Sequence, residues 1–591
     1  MGMLLALAAA AVPLAIAPGW SFYFDVVPRI VILLAGAALA LWFSGRIPAG
    51  SLFLKLLAAQ AAVAAIATIF SIDAVISWSG AAWRKEGLPV ELAVLIFAAA
   101  IYIWLSAAPE RLRPFLRVTV FGALPAAIYG IAQYFGIDPL LASFSYRAGE
   151  GQFAIVRPPS TLGHADYFAT FLLYPLFAGI FLARLESRRA WKIAALSTSL
   201  LVLAAMILSG TRAALAGALA GAVLILARGR FSRRRVFQAI APAAAALALF
   251  TVFYRSPAGE RLRARVHWSR EDRLGGARLL LWRDTLKMSE SRWLAGYGPE
   301  TFVREFPKHE SADLARAYPD FYHESPHNIF IEALVSKGLP GLAALLAISA
   351  FGVMLARGAM GAAFVAILVS QQFTSFTATT ELYFYICLAI LAAMRAQTPN
   401  FALSARSPLR LALAAPFACF AIFLLAGDAM LARAASLIDR GDVSAAAATL
   451  KRARVLRASA DIYFSRRFAA FGADPAARLL SWEAGFDAAK SAVETADDRM
   501  NALVNLASFY AGQNDAANVE KTLRAAIAAA PNWYKPHWLL SRVLSAEGRA
   551  AEARAEAQIA ASLNGAPLTA TLISATLISA TPTPFHSFGG N

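Results

Sequence analysis

The chain has 591 residues, of which 59% are hydrophobic and only 16% are charged. A soluble globular protein has about 45–50% apolar and about 25% charged residues, and one water-soluble core cannot absorb such an excess. The composition therefore excludes an ordinary soluble enzyme and a disordered chain, and it indicates an integral membrane protein.

A helix that crosses a bilayer needs about 20 mostly apolar residues. Thirteen runs meet this description approximately, so the sequence predicts an all-α, polytopic membrane helix bundle of about 12–13 transmembrane helices. The runs are 3–17, 27–44, 52–71, 90–107, 114–136, 162–183, 191–209, 212–227, 236–254, 339–356, 359–376, 382–395 and 409–433.

The formal net charge of +18 follows the predicted topology. Short loops rich in Lys and Arg stay cytoplasmic, and the basic residues fall in alternate loops from Arg46 to Arg410. All of them lie on one side if the N-terminus is cytoplasmic. The membrane topology therefore accounts for much of the positive charge, which no longer indicates a nucleic-acid partner. The same count places the long segment 255–337, and everything after 434, on the opposite side of the membrane.

Residues 434–565 show helical periodicity without a run long enough to span a membrane. Three positions recur after 34 residues: Leu506 and Leu540, Tyr510 and Leu544, Gly512 and Ala546. This period is typical of tetratricopeptide repeats, which stack into an interaction surface. We therefore predict a helical-repeat domain over 434–565, with an unrelated helical bundle as the alternative. The low-complexity tail 566–591 is predicted to be disordered.

Two arginine-containing motifs are candidates for anion binding. In Leu208-Ser-Gly-Thr-Arg212, two spans meet in a turn, and an arginine at the mouth of a membrane helix either snorkels or binds an anion. The second motif places Arg278 and Trp282 one helical turn apart, before a Gly-Tyr-Gly-Pro break. Seven arginines lie between 255 and 278. Guanidinium groups suit phosphate oxygens, although snorkelling explains most of the seven.

The third motif surrounds His327. Ser325 fits the N-cap and Pro326 the first position of a short helix that ends at Gly338, with Pro340 preventing its continuation. His327 is then predicted in the first turn, where the helix N-terminus keeps an imidazole neutral and able to act as a base. A structural hydrogen-bonding role is the alternative. The sequence has no metal-ligand, Walker or nucleophile-elbow motif, so we expect neither a metal nor a cofactor.

Together these motifs resemble the O-antigen ligase and polymerase superfamily of bacterial envelope glycosyltransferases. The specific part is Arg-x4-Trp-Arg…Gly-x-Gly-Pro-x-Thr-Phe followed by His-Asn-x3-Glu-x5-Gly-x-x-Gly. Where the family often has asparagines after Thr-x-Gly, this chain has His164 and Asp166. The matching stretches are 71–88, 157–169, 209–215, 276–302 and 326–342.

The resemblance implies a membrane glycosyltransferase with its active site and C-terminal domain in the periplasm, on the outer face of the bacterial inner membrane. Its donor is a glycan linked through diphosphate to undecaprenol, and a hydroxyl acceptor such as lipid A-core receives the glycan without a metal ion. Arg212 and Arg278 would hold the diphosphate, and His327 would activate the acceptor. The residues expected to bind substrate are Arg84, Arg157, Arg283, Asn328 and Trp282.

Other functions remain open at this stage. A glycan acceptor would make the protein a polymerase, and a protein hydroxyl would make it an O-oligosaccharyltransferase. The non-enzymatic alternatives are a lipid-linked sugar transporter and a scaffold that presents its repeats to a protein partner. Transporters keep charged groups near the bilayer midplane, whereas the motifs here cluster at one surface, so surface chemistry is favoured.

Overall fold

The computed structural model describes residues 2–43, 47–48, 51–82, 84–141, 147–148, 155–228, 248–271, 276–319, 322–396, 401–403, 407–470 and 475–564. Two predictions fall outside these residues: the part of the predicted span 236–254 that precedes residue 248, and the predicted disordered tail 566–591. Strands in the described chain form two short antiparallel pairs, β1 (Ile47–Pro48) with β4 (Phe401–Leu403) and β2 (Arg147–Ala148) with β3 (Ile155–Val156).

Helices account for most of the described chain before residue 330. They are α1 (Gly2–Ala11), α2 (Val27–Phe43), α3 (Leu52–Ile69), α4 (Ala74–Ser79), α5 (Leu88–Ala107), α6 (Leu112–Phe121), α7 (Leu124–Tyr134), α8 (Ala165–Leu185), α9 (Arg189–Leu208), α10 (Arg212–Arg228), α11 (Glu260–Glu271), α12 (Arg278–Ser289), α13 (Phe302–Glu305) and α14 (Ala312–Ala317). Short 3-10 helices cover Val12–Leu14, Pro109–Arg111, Ser160–Leu162, Pro257–Gly259, Glu290–Arg292 and Phe306–Lys308.

The remaining helices continue to the end of the described chain. They are α15 (Ile329–Leu355), α16 (Gly358–Ser370), α17 (Ala378–Ala393), α18 (Ser407–Asp439), α19 (Val443–Val455), α20 (Asp461–Ala469), α21 (Pro475–Thr495), α22 (Arg499–Gly512), α23 (Ala516–Ala529), α24 (Tyr534–Ala546) and α25 (Ala550–Asn564).

The apolar helices confirm an all-α, multi-pass membrane fold. Within the described chain, seven helices are long and apolar enough to cross a membrane, and four further apolar helices are shorter. Burial separates their positions: α8 and α5 are 78% and 72% buried inside the protein, whereas α3 and α9 are each 33% buried. α8 and α5 therefore form the centre of the bundle. The exposed apolar sides of α3 and α9 are suited to contact lipid.

The C-terminal helices form antiparallel hairpins. The turn between α22 and α23 contains Asn514 at φ 55°, and the turn between α24 and α25 contains Gly548 at φ 79°. These turns are 34 residues apart, which is the predicted spacing. Assignment to the tetratricopeptide family stays a prediction. α18 is continuous to Asp439, so the predicted domain boundary at 433/434 lies inside a helix.

Candidate active site

The turn before α15 carries His327 in an unusual backbone conformation. α15 begins at Ile329, and its N-cap is Asn328, whose Oδ1 accepts hydrogen bonds from the amides of Phe330 (3.0 Å) and Ile331 (3.2 Å). His327 lies just before this cap with φ 52°. That left-handed conformation is uncommon for a residue other than glycine. The surrounding contacts must therefore hold the turn in place.

This geometry corrects the predicted start of the helix. Ser325 is not its N-cap and Pro326 is not its first residue, because the side chain that reaches the free amides is that of Asn328. His327 accordingly precedes the first turn of the helix and does not lie within it. Asparagine is as good an N-cap as serine, so Asn328 was an equally good candidate for the start of the helix.

The predicted end of this short helix is confirmed. Gly338 has φ 66° and ψ −168°, which interrupts α15 before Pro340. A Cβ atom at Gly338 would lie 2.2 Å from the carbonyl oxygen of Leu294, so both the conformation and the close approach require glycine. The chain then continues as the membrane helix predicted from residue 339.

Three arginines interact with the carboxylate of Asp166, and a fourth, Arg212, interacts with one of the three. Arg157 donates from Nη2 to Asp166 Oδ1 over 2.7 Å, and Arg278 interacts electrostatically with the same carboxylate. Arg265 interacts with Asp166 and with the other three arginines, including Arg212. We call these five residues the basic group. It brings together Arg157, Arg212 and Arg278, which the sequence had placed in three separate motifs.

Positive charge exceeds negative charge within the basic group. Arg265 is 8% exposed, and burial, followed by the charge of Arg157, lowers its pKa to about 9. A guanidinium ordinarily has a pKa above 12, so burial and the three neighbouring arginines together outweigh the attraction of Asp166 for Arg265. An anion that entered here would relieve the repulsion.

Helix dipoles act in the same direction. The basic group lies where three helices begin, because Asp166 is the second residue of α8 and Arg212 and Arg278 are the first residues of α10 and α12. A helix N-terminus carries a partial positive charge and free backbone amides. Such ends bind phosphate readily. An anion bound there would interact favourably with both the arginines and the helix ends.

The turn between α9 and α10 fixes the position of Asp166. The hydroxyl of Thr211 donates to Asp166 Oδ1 over 3.0 Å, and Ser209 Oγ accepts from the amide of Thr211 at 3.3 Å. At the start of α8, His164 Nδ1 accepts from the amide of Asp166 at 3.2 Å. His164 and Asp166, which depart from the family pattern, are thus part of the site.

His327 contacts the basic group electrostatically. Burial, followed by the charge of Arg278, lowers its pKa to about 3, so the imidazole is neutral at physiological pH. The predicted neutrality therefore has a different cause from the one expected, since the helix N-terminus was expected to produce it. His327 Nδ1 lies 3.4 Å from Ser325 Oγ.

Two predicted substrate-binding residues hold this turn. The indole nitrogen of Trp282 donates to the carbonyl oxygen of Pro326 over 2.8 Å, which ties α12 to the turn. Asn328 caps α15, and its Nδ2 donates to the carbonyl oxygen of Gln372 over 3.2 Å. These contacts position His327 relative to Arg278. Direct substrate contact by either residue stays a prediction.

Arg84 has surroundings opposite to those of the basic group. It forms ion pairs with Glu86 (3.1 Å), Glu332 (3.1 Å) and Glu300 (3.4 Å), and it is 8% exposed. We call these four residues the Arg84 cluster. Burial tends to lower the pKa of Arg84, but the three carboxylates more than offset this effect and raise it. Its positive charge is thus already matched by protein groups, so its contacts do not support the predicted anion binding.

Arg283 also has protein partners. It is half-exposed and pairs with Asp284 (3.0 Å) and Asp313 (3.2 Å), and it donates to Ser311 Oγ. Its predicted role in substrate binding stays a prediction. Among the residues that the structure describes, no group of three or more His, Cys, Asp or Glu side chains is arranged to hold a metal ion.

Arg265 is the site residue that sequence reasoning missed. It was counted among seven arginines but could not be separated from its neighbours. In the structure, Arg261 donates to the carbonyl oxygen of Tyr134 and Arg263 to that of Ser256, whereas Arg265 joins the basic group. These contacts depend on the tertiary structure, so no local pattern distinguishes the three.

Comparison with known families supports the resemblance drawn from the motifs. Residues 196–346 match the family model described as O-antigen ligase. The match spans about a quarter of the chain and includes Arg212, Arg265, Arg278 and His327. It supports the O-antigen ligase superfamily and points to a membrane enzyme of the glycan ligase or polymerase type. No curated protein gives a significant match.

Proposed function

We propose that this protein transfers a glycan from undecaprenyl diphosphate to a hydroxyl acceptor, as an O-antigen ligase does. The observation that carries the proposal is the basic group, in which four arginines and three helix N-termini meet beside a neutral histidine. The family match, which covers Arg212, Arg265, Arg278 and His327, gives further support.

In this proposal, the arginines hold the diphosphate of the donor. Arg212 and Arg278 lie at helix N-termini, and Arg157 and Arg265 add two further guanidinium groups. Cleavage of the bond between the anomeric carbon and the diphosphate increases the negative charge on the leaving oxygen. Preorganised cations stabilise this charge, and each such donor typically contributes a rate factor on the order of 100 to 1,000.

His327 accepts the proton of the acceptor hydroxyl. The acceptor oxygen forms a bond to the anomeric carbon, the bond to the diphosphate breaks, and the proton moves to the imidazole. If Nδ1 donates its hydrogen to Ser325, then Nε2 presents the free lone pair. Without donor, Arg278 opposes protonation of His327. A bound diphosphate cancels part of that repulsion, so the base becomes stronger once the donor is in place.

The acceptor determines the subclass. We place lipid A-core first, with a second lipid-linked glycan (polymerase) or a protein hydroxyl (O-oligosaccharyltransferase) as alternatives. The multi-pass fold and the distribution of basic loops support the bacterial inner membrane, with the site on the periplasmic face.

In vitro transfer tests the proposal. Purified protein is mixed with a lipid-diphosphate glycan and a panel of acceptors, with EDTA present throughout. We expect wild-type protein to glycosylate one acceptor class and His327→Ala to leave all of them unmodified. A folded, donor-binding wild-type protein that glycosylates none of them would contradict the proposal and favour a transporter or scaffold.

A further inference from the structure

The chain reaches His327 through a segment that lies on the C-terminal helices. We call the described residues 306–319 and 322–326 the approach segment. Within it, α14 packs against α25, and Arg316 Nε donates to the carbonyl oxygen of Ser562 over 2.9 Å. In the connection between α23 and α24, Asn532 Nδ2 donates to the carbonyl oxygen of Glu310 over 2.7 Å. The C-terminal helical domain therefore contacts the segment that leads to His327.

Tyr322 is the apolar contact of this segment with the C-terminal helices. It lies five residues before His327 and packs against the apolar core that α22, α23 and α24 form around Leu503, Leu523 and Trp533. The carboxylates of Asp498 and Asp497 interact electrostatically with its phenol. Tyr322 is partly buried, and an aromatic ring packed on an apolar core contributes a large contact area that a single surface hydrogen bond lacks.

The approach segment also contacts the helix that carries Arg278. The amide of Ser311 donates to Asp284 Oδ2 on α12 over 2.9 Å. Nearby, His323 is 4% exposed, and its Nε2 lies 3.7 Å from Glu310 Oε1. The segment thus connects the C-terminal domain to α12 on one side and to the turn of His327 on the other.

A second connection reaches the far side of the same turn. The amide of Ala82 donates to Asp497 in the C-terminal domain, and the buried Lys85 interacts electrostatically with that carboxylate. On the same loop, Arg84 forms an ion pair with Glu332, which lies in the first turn of α15. Asp497 is therefore connected to the chain that follows His327, through the loop of Arg84 and through Glu332. Tyr322 is connected to the chain that precedes His327, through the approach segment.

We infer that the C-terminal helical domain is a positioning element for His327, with Tyr322 as its principal positioning residue. The inference rests on the proposed function, because positioning matters only if His327 acts on a substrate. The physical requirement is the backbone of His327, since a non-glycine residue at φ 52° persists only where its surroundings restrain it. Asn328 restrains the turn from the helix side, and the approach segment restrains it from the other.

The test compares three variants of the full-length protein. Tyr322→Ala removes the anchor, and Tyr322→Phe keeps the ring. The matched control, Arg549→Ala, breaks ion pairs with Glu520 and Glu552 in the same domain. Arg549 precedes α25 and lies about 20 Å along that helix from Ser562. Two readouts are needed: the kinetic constants for glycan transfer, and hydrogen exchange of the amides between 306 and 328.

We expect Tyr322→Ala to lower kcat by about 10- to 100-fold while KM for the donor changes less than threefold, because a misplaced base affects chemistry more than donor binding. Hydrogen exchange over 306–328 rises in the same variant. Tyr322→Phe and Arg549→Ala retain at least half of wild-type kcat. Wild-type kcat in Tyr322→Ala, or equal losses in Tyr322→Ala and Arg549→Ala, would overturn the inference.

The exchange readout separates this inference from the proposed function. If wild-type protein transfers no glycan, the proposed function fails whatever the exchange data show. If wild-type protein is active and the approach segment in Tyr322→Ala exchanges as slowly as in wild type, then the positioning inference alone fails.

Discussion

Two groups of charged residues near His327 use the same kind of cation in opposite ways. The basic group sets four arginines against the single carboxylate of Asp166, whereas the Arg84 cluster sets one arginine against three carboxylates. The first keeps a surplus of positive charge at helix N-termini. In the Arg84 cluster, three carboxylates of the protein form ion pairs with the single guanidinium.

The difference teaches how to separate a binding arginine from a structural one. A buried ion pair adds little net stability compared with apolar residues of the same volume. Removing one of its two partners is nevertheless costly, because the other charge is then buried without compensation. Arg84 should therefore be needed for folding, and Arg278 for binding an anion from outside. Burial alone does not identify a binding arginine, because Arg84 of the Arg84 cluster and Arg265 of the basic group are both 8% exposed.

The largest expected effect is on catalysis by His327. His327→Ala should lower kcat by a factor on the order of 100 to 10,000, the usual contribution of a positioned general base. The melting temperature should change little, because a neutral side chain is removed. Steady-state transfer assays measure the first quantity and thermal unfolding in detergent the second. Activity within threefold of wild type would remove His327 from the mechanism.

Arg278→Ala should lower kcat by a factor on the order of 100 to 1,000, because one stabilising donor is lost from the leaving diphosphate. Arg278→Lys should recover only part of the activity, since an ammonium lacks the guanidinium fork. The melting temperature should stay level or rise, because the variant removes a charge that Arg265 repels. A marked fall in melting temperature would show that Arg278 is structural, like Arg84.

Arg84→Met should have the opposite profile. The variant removes the cation that Glu86, Glu300 and Glu332 share, and breaking a buried pair typically destabilises a protein by about 3–5 kcal/mol. We expect a lower melting temperature and a smaller yield of inserted protein. The molecules that do fold should keep their affinity for the donor within a few-fold of wild type. Normal stability with lost donor binding would instead place Arg84 in the substrate site.

The smallest expected effect concerns Glu310. Burial, followed by the charge of Asp284, raises its pKa to about 8, so the folded protein retains a proton that the unfolded chain loses near pH 4.5. Stability from this group is therefore full at low pH and falls as pH rises through 8. Glu310→Gln should gain about 1–2 °C in melting temperature relative to wild type between pH 6 and pH 9.

The comparison with His323 makes the pH test sharper. Burial lowers the pKa of His323 to about 4, so its own contribution to stability is complete above about pH 6.5. It therefore adds no slope over the range in which Glu310 titrates. A constant difference in melting temperature between Glu310→Gln and wild type from pH 6 to pH 9 would contradict the raised pKa.

Much of the fold could be predicted from the sequence. Apolar run length located the membrane helices, and the positive-φ requirement of Gly338 located the break in α15. These features are local, because they depend on hydropathy or on the conformation of one residue. The cap of α15 was misassigned since Ser325 and Asn328 are both good caps, and local chemistry does not choose between them.

The charge balance of the site could be predicted only in part. Arg212, Arg278 and His327 were found because each lies in a recognisable motif. The partners of Arg84 come from residues 86, 300 and 332, so their convergence depends on tertiary structure. The same holds for Arg265, which interacts electrostatically with Arg157 across more than one hundred residues of sequence.

The central claim is that the basic group holds the donor diphosphate, and equilibrium binding of undecaprenyl diphosphate tests it most directly. Purified wild-type protein is compared with Arg278→Ala and with Arg283→Ala, whose guanidinium already pairs with Asp284 and Asp313. Loss of one charge-assisted contact should weaken binding by about 10- to 100-fold in Arg278→Ala. Arg283→Ala should bind within about twofold of wild type. Wild-type affinity in Arg278→Ala would contradict the account.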